Sequence, residues 1–446
     1  MKTFDNFYNE IISLPNLYRA FETAKKGKKK GRVISFEKNL HDNLWELYCE
    51  LKNKIYVPKS YFTFYVTDYK KRKIMCPHFR DSVVQHAVFI YLEQIYEPQF
   101  IYDSYACRKG KGTHKASKRL KSFINKNSNQ NYFMKCDISK YFYSIDHYQL
   151  KLIIEKTVKD KNVFWLISQI IDSHYEDVLP SHIYNNKNEK QEKGIPIGNL
   201  TSQLFANIYL NELDNFIKHE LKIKYYLRYV DDFVILGRSY KELQEDFLNI
   251  QKFLSDELFL RLEKRKTQIN KIFFGIDFTG YVCFKQVVRV RSRNFRRFIK
   301  QFKKKVDLFY KEELSLEKLF ASVVSYAGHL SHTNSKKILE FLVLEYYNVI
   351  ARKAVQRGGN WNNGANAGPF CANLNNNPTN TNNNIGFRCC SVQEAKIISS
   401  RRCCLPNVQM QLHSETIDFN KSILNENLSR NVTDENSVIS AMIMEK

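Results

Sequence analysis

Two adjacent carboxylates interrupt a run of residues that is otherwise typical of buried β-structure. Residues 226–239 read YLRYVDDFVILGRS, with Asp231 and Asp232 between two apolar segments. Both segments are strand-like, so the short polar interruption predicts a hairpin that carries the pair at its tip. Half-buried neighbouring carboxylates repel each other and cost several kcal/mol unless a positive group neutralises them. The sequence therefore favours a bound cation at this tip, and a divalent metal ion is the simplest choice.

A second strand-like segment also ends in an aspartate. YFMKCD ends at Asp137, and the bulky Phe142 follows five residues later. Aspartates are common in hairpin turns, where they are usually solvated, and that interpretation of the pair stays open. A third carboxylate at a strand end nevertheless favours a metal site. Mg²⁺ prefers oxygen ligands and is usually held by one or two carboxylates together with substrate phosphates.

The charge balance predicts a polyanionic partner. The 446 residues carry 70 Lys and Arg against 46 Asp and Glu, a formal net charge of +24, and the pI is about 9.4. No apolar run approaches the roughly 20 residues of a membrane-spanning helix, so nucleic acid is favoured over a membrane. The N-terminal residues lack the compact apolar stretch of a secretory signal, and we expect a cytoplasmic protein.

The ten cysteines form no CxxC pair. We expect free, buried thiols rather than a disulfide framework, with zinc at the doublets Cys389-Cys390 and Cys403-Cys404 as a minor alternative. The basic segment Lys25 to Arg32 is predicted to be a loop broken by glycines. A solvated charge run and a nucleic-acid contact are equally compatible with its composition.

Periodicity predicts a mixed order of helices and strands. Residues 61–75 alternate like a hairpin, and the residues from Phe79 onward have helical spacing. A further helix is expected near 199–217, with Asn199 or Thr201 able to cap it. Residues 291–350 are basic and helical in pattern. The order does not alternate regularly between strand and helix, which argues against a doubly wound sheet.

Taken in order along the chain, these motifs resemble a reverse transcriptase. YVDD, CDISKYFYSIDH and GIPIGNLTSQLFANIYLNELD are similar to its palm, and KKRKIMCPHFRDSVVQHA is similar to its fingers. SYACRKGKGTHKA, LEKRKTQI and GIDFTGYVCF match the segments before and after the palm. The resemblance implies an α+β right-hand polymerase. Its regions would be an N-terminal region with fingers (1–130), a palm with interleaved fingers elements (131–285), a helical thumb (286–352) and a tail (353–446).

The resemblance also implies roles for individual residues. Asp137, Asp231 and Asp232 would be the catalytic carboxylates and, with Ile138, would hold two Mg²⁺ ions, for which Mn²⁺ is an alternative. Phe142 would exclude a ribose 2′-hydroxyl and so favour deoxynucleotides. The remaining nucleotide-binding positions implied by the resemblance are Arg72, Lys73, Gly198, Gln203 and Lys266. The substrates would be an RNA template, the growing cDNA/RNA hybrid and dNTPs.

One palm segment departs from the group II intron pattern QGxxxSP. It reads IGNLTSQ from Ile197 to Gln203, and this ending resembles the enzymes of diversity-generating retroelements. Those enzymes copy a template-repeat RNA with errors at adenines to diversify a target gene, and they act with a small, basic, helical accessory protein. Because residues beside Gly198 would touch the nascent base pair, we interpret Ile197 and Gln203 as fidelity determinants. A bacterial or phage origin follows from this resemblance.

The stretch 357–390 is rich in asparagine. A disordered polar tail is one interpretation, since such segments bury little apolar surface. The other interpretation is a translated template repeat, because asparagine codons begin with two adenines, and it is favoured over a functional fused module. Residues 391–446 carry no motif.

Two other functions remain as alternatives. One is a maturase-like protein that mainly binds structured RNA, and the other is a defence-associated reverse transcriptase. The complete set of three carboxylates favours catalysis over binding alone, and a defence enzyme would not explain the asparagine-rich stretch.

Overall fold

The computed structural model describes residues 2–28, 31–67, 71–126, 130–174 and 192–356. It divides into two compact units, the first ending at Gln286 and the second beginning at Val287. The mixture of helices and antiparallel sheets is consistent with the expected right-hand polymerase fold. The finer division into fingers, palm and thumb stays a prediction. Positions 357–390 and the cysteine doublets lie outside the described residues.

The first unit contains eleven helices among its described residues. They are α1 Tyr8–Ile12, α2 Leu14–Lys25, α3 Gly31–Lys38, α4 Leu40–Lys52, α5 Phe79–Tyr96, α6 Thr113–Lys126, α7 Tyr141–Ser144, α8 His147–Thr157, α9 Lys161–Asp172, α10 Leu200–Asn215 and α11 Tyr240–Asp256. Its strands are β1 Phe62–Thr67, β2 Lys71–Cys76, β3 Tyr132–Asp137, β4 Tyr226–Tyr229, β5 Asp232–Gly237, β6 Gln268–Lys271, β7 Ile276–Phe278 and β8 Tyr281–Cys283.

A four-stranded antiparallel sheet in the order β4-β5-β3-β6 forms the centre of this unit. Strand β5 is buried along almost its whole length, which explains why its sequence is continuously apolar rather than alternating. Helix α11 packs against β3 and β5, and α10 packs against α5 and α8. The core continues without a break from this sheet into the N-terminal helices.

The hairpin predicted for residues 61–75 is present as the antiparallel pair β1 and β2. Every residue of β1 is exposed, so this hairpin lies at the surface and not in the core. Helix α5, predicted from its apolar spacing, follows directly after β2 and buries most of its side chains. The chain thus passes from an exposed hairpin into the core within a few residues.

The second unit begins with β9 Val288–Val290 and continues as α12 Ser292–Tyr310, α13 Leu316–Leu330 and α14 Lys336–Gln356. The basic, helical character predicted for residues 291–350 is therefore confirmed. Helix α12 buries one aromatic stripe, including Phe298, whose ring stacks on Tyr326 of α13 at 3.8 Å between centroids. Its opposite face is basic, as the amphipathic pattern predicts.

Three local expectations need correction. Lys25 ends α2 and Gly31 begins α3, so the basic segment is not one loop. Asn199 occupies the N-cap position of α10, but its side chain accepts no hydrogen bond from the helix; its amide Nδ2 donates to the Tyr61 hydroxyl at 2.9 Å. Cys107 is exposed rather than buried. Among the described residues, every helix is too short or too polar to cross a bilayer.

Candidate active site

The sheet brings the three predicted carboxylates to one edge. Asp137, at the end of β3, is the register partner of Asp232, at the start of β5. Directly opposite residues of an antiparallel pair project to the same face with their Cβ atoms about 5 Å apart. Asp231 lies in the turn between β4 and β5, where its carbonyl accepts a hydrogen bond from the Ile138 amide at 3.2 Å.

The carboxylates are poorly solvated and repel one another. Burial is the main reason that the pKa of Asp232 is raised to about 7; the charge of Lys135 opposes the rise, and a hydrogen bond with Asp137 adds to it. Burial also raises the pKa of Asp231, followed by the charge of Asp137. Because burial and mutual repulsion raise both pKa values, a positive charge placed beside Asp231 and Asp232 would favour their ionised forms.

A lysine side chain supplies one positive charge to this site. The ammonium Nζ of Lys266 lies 2.5 Å from Asp137 Oδ1, and the Lys266 side chain is 48% exposed. An oxygen-only donor set with partial solvent access is what hard divalent cations prefer. By donor type the residues therefore fit a divalent metal centre, and Lys266 contacts one of the carboxylates, Asp137.

The raised pKa of Asp232 predicts how stability depends on pH in the metal-free protein. An unfolded aspartate loses its proton near pH 4, whereas folded Asp232 keeps it up to about pH 7. Stability should therefore be highest below the unfolded pKa and should fall as pH rises towards 7, by at most about 1.4 kcal/mol per unit. Urea unfolding with chelator at pH 5, 6, 7 and 8 measures this slope. Asp232→Asn should make the dependence of stability on pH less steep. An unchanged slope in that variant would contradict the raised pKa of Asp232.

The predicted nucleotide-binding residues lie in several elements. Arg72 is exposed on β2, and its positive charge lowers the pKa of Asp231 against the larger effect of burial. Phe142 lies half-buried in α7, and its carbonyl accepts from the Ile195 amide at 2.8 Å. Gln203 is exposed in the first turn of α10. Lys73 is half-buried on β2.

Gly198 lies against the end of the exposed hairpin. The Met75 amide donates to the Ile197 carbonyl at 2.9 Å, which places Gly198 so close that an added Cβ would meet the Met75 carbonyl oxygen at 2.6 Å. Its φ of 132° also excludes most other residues. The segment at 197–199 thus joins the hairpin to the start of α10.

Gly198→Ala is expected to lower the free energy of unfolding by about 1–3 kcal/mol and to weaken dNTP use, because alanine is strained at this φ and its Cβ clashes with the Met75 carbonyl. Gly110→Ala is the matched control, since Gly110 also has a positive φ of 70° but nothing within 4 Å of an added Cβ. Thermal unfolding and steady-state KM for dNTP measure the two effects. Equal effects of the two substitutions would refute the close-contact argument.

A buried ion pair behind the turn was not found from the sequence. Arg228 and Asp214 have fully buried side chains, with Nη2 to Oδ2 at 2.6 Å and Nε to Oδ1 at 2.8 Å. Arg228 Nη1 also donates to the carbonyl of Val230 at 3.0 Å, and Val230 has a φ of 55°, which is strained for a β-branched residue. The one signal in the sequence is an arginine among apolar strand residues. This ion pair fixes the turn that carries Asp231.

Several known proteins are similar to part of this chain. Over 217 residues it is 30% identical to the group II intron-encoded protein LtrA of Lactococcus lactis subsp. cremoris, covering 48% of this chain and 34% of LtrA. Protein YkfC of Escherichia coli K12 is 26% identical over 275 residues, covering 54% of this chain and 67% of YkfC. A solved structure of apo telomerase from Candida tropicalis, truncated from its C-terminal domain, covers 52% of this chain and 55% of that chain at 16% identity and a TM-score of 0.37.

The chain spans about a third of the length of LtrA. The family model for reverse transcriptase (RNA-dependent DNA polymerase) matches residues 58–295, which include all three carboxylates. Enzymes with this domain are RNA-directed DNA polymerases that depend on divalent metal ions. The chain therefore belongs to the reverse transcriptase family.

Proposed function

We propose that the protein copies a template-repeat RNA into cDNA with errors at template adenines, as the enzyme of a diversity-generating retroelement. The cross-strand pair of Asp137 and Asp232, with Asp231 in the adjoining turn, carries the polymerase part of the proposal. The sequence from Ile197 to Gln203 carries the mutagenic part, because it departs from the group II intron pattern QGxxxSP. This segment lies between the exposed hairpin and α10. The asparagine-rich stretch 357–390 supports the same role as a translated template repeat.

In this proposal the three carboxylates and the Ile138 backbone hold two Mg²⁺ ions, with Mn²⁺ as a substitute. Bound there, the ions would lower the pKa of the primer 3′-hydroxyl and stabilise the departing pyrophosphate. Arg72, with Lys73 beside it, binds the triphosphate. A guanidinium suits this task because its planar fork matches phosphate oxygens. Lys266 moves its ammonium from Asp137 to the phosphates when the substrate arrives.

The excess of Lys and Arg over Asp and Glu provides phosphate contacts for the RNA and the cDNA/RNA hybrid. The affinity for these nucleic acids should therefore fall steeply as the salt concentration rises. A small, basic, helical accessory protein completes the proposed set of partners. Such a partner would add phosphate contacts to those of helix α12, which carries most of its lysines and arginines on one face.

Phe142→Val is expected to raise ribonucleotide incorporation relative to deoxynucleotide incorporation by about tenfold or more, because a smaller side chain leaves room for a 2′-hydroxyl. Phe164→Val is the matched control, since Phe164 is also a half-buried core aromatic but lies on α9. Primer extension with each nucleotide class measures the ratio. Equal ratios for the two variants would exclude Phe142 as the discriminating residue.

The proposed errors at template adenines are tested by changing the segment from Ile197 to Gln203 to the group II intron pattern QGxxxSP. Ile197→Gln combined with Gln203→Pro should lower misincorporation opposite adenine without abolishing synthesis. The control variant, Asn215→Gln, alters the other end of α10. Sequenced cDNA gives the error rate for each template base. An adenine error rate that is unchanged by the double substitution would contradict the role of Ile197 and Gln203 as fidelity determinants.

A maturase-like role is the second candidate, favoured by the similarity to the intron-encoded protein LtrA. A protein of that kind would bind structured RNA tightly and would retain this binding when Asp231 is replaced by alanine. The two candidate functions therefore differ in whether the protein needs its three carboxylates: polymerisation requires them, and binding of structured RNA does not.

A further inference from the structure

A histidine and two carboxylates converge in the first unit, formed by residues other than the three catalytic aspartates. His147 begins α8, Asp172 ends α9, and Glu192 precedes the segment that leads to α10. One ligand atom from each residue lies within 4.8 Å of the other two. His147 Nδ1 is 3.4 Å from Asp172 Oδ1 and 4.0 Å from Glu192 Oε2.

The imidazole of His147 is buried and has one nitrogen without a partner. Its side chain is only 2% exposed, and Nε2 lies 2.8 Å from the carbonyl oxygen of Gly194. A carbonyl can only accept, so Nε2 carries the proton, and in the neutral ring Nδ1 presents a lone pair. Among the described residues, Nδ1 has no hydrogen-bond partner. A buried lone pair that faces two carboxylate oxygens is unfavourable unless a proton shared with Asp172 or a metal cation lies between them.

The surrounding contacts orient the three groups. The His147 amide donates to the Glu192 carbonyl at 3.1 Å, and Asp146 forms a β-bridge with Lys193. Glu192 is therefore held beside α8 by backbone contacts. Lys151 Nζ binds the other Asp172 oxygen, Oδ2, at 2.6 Å. A backbone carbonyl on the distal nitrogen of a histidine and a hydrogen bond on the second carboxylate oxygen are typical of metal ligands.

We propose that His147, Asp172 and Glu192 form a binding site for a transition-metal ion of the zinc class. Nitrogen and oxygen ligands bind zinc at about 2.0–2.2 Å, which places tetrahedral ligands roughly 3.4 Å apart. The His147 to Asp172 separation has this value. The Glu192 side chain is 52% exposed and can close the remaining distance. An imidazole ligand favours zinc over magnesium or calcium, which prefer oxygen alone.

The metal would fasten the segment 192–195 to α8 and α9. The same segment donates two backbone hydrogen bonds of 2.8 Å, from Gly194 to the Ile145 carbonyl and from Ile195 to the Phe142 carbonyl. A bound ion would therefore stiffen the backbone that supports Phe142, without supplying a ligand to the catalytic metal centre.

The test is zinc titration of the full-length chain, stripped with chelator and held in excess Mg²⁺ to occupy the catalytic carboxylates. The variants are His147→Gln and Glu192→Gln, and the second removes a half-exposed group whose loss does not threaten the fold. Glu212→Gln is the control for the loss of a glutamate carboxylate outside the cluster, because Glu212 pairs with Lys156 instead. Calorimetry gives affinity and stoichiometry, thermal unfolding gives the stabilisation by zinc, and Co²⁺ absorption reports the coordination.

Wild type and Glu212→Gln should bind one more zinc ion than the two site variants, or bind it about a hundredfold more tightly. Zinc should raise their melting temperature, and Co²⁺ should give a tetrahedral spectrum that Glu192→Gln lacks. Equal affinity in wild type and Glu192→Gln would overturn the proposal. No zinc-dependent stabilisation would also overturn it, since a protonated His147 paired with Asp172 needs no metal.

Discussion

Asp232→Asn is expected to lower polymerisation by at least about a thousandfold while making the metal-free protein more stable at pH 8. The loss follows because an amide has one oxygen ligand and no charge to offer a divalent ion. The gain follows because the substitution removes a half-buried charge opposite Asp137. Burial is the main reason that the pKa of Asp232 is raised, and its interactions with Asp137 add to the rise. Primer extension and chelator-containing urea unfolding measure the two effects on the same preparation.

Asp246→Asn is the matched control for this prediction. The pKa of Asp246 is also raised, to about 6, by burial and by the charges of Glu242 and Glu245, but Asp246 lies on α11. It should gain stability and keep full activity. If Asp232→Asn retained activity, the three-carboxylate centre would be wrong; if it lost stability at pH 8, the argument that a buried charge destabilises the metal-free protein would be wrong.

Arg228→Met is expected to lower the free energy of unfolding by about 3–5 kcal/mol, because it leaves the Asp214 carboxylate buried without its partner. Arg238→Met is the control, since Arg238 is exposed at the end of β5. Urea unfolding of both variants measures the difference. A loss for Arg228→Met no larger than for Arg238→Met would show that the buried pair contributes little.

The double variant Arg228→Met, Asp214→Leu separates stability from positioning. Replacing both charges by apolar groups should recover much of the stability. It does not restore the hydrogen bond to the Val230 carbonyl, so the turn that carries Asp231 stays loose. We therefore expect a stable protein with a reduced kcat. Full activity in the double variant would contradict the positioning role of Arg228.

The local elements were predictable because their patterns arise from short-range physics. The apolar runs on both sides of Asp231 predict two strands and a tight connection, and the structure has β4 and β5 there. Asp137 was likewise expected at a strand end. Apolar residues at helical spacing predicted α5, which buries most of its side chains, and an amphipathic pattern predicted the basic helix α12 of the second unit.

The pairing across the sheet was not predictable from such patterns. The alignment of Asp137 with Asp232 depends on the register of β3 and β5, which long-range packing sets. The contact of Lys266 with Asp137 and the burial of Arg228 also depend on residues distant in the chain. Asn199 illustrates the same limit, because its side-chain amide donates to the hydroxyl of Tyr61, a residue 138 positions away in the chain.

The most direct test of the proposed function is sequencing of cDNA made by the purified full-length protein. The reaction contains the accessory protein, Mg²⁺, four dNTPs and RNA that encodes residues 357–390 with its flanks, and Asp231→Ala is the blank. We expect cDNA above the blank, with errors concentrated at template adenines. Faithful cDNA would contradict the mutagenic role, and no cDNA above the blank would contradict polymerisation and favour the maturase-like binder.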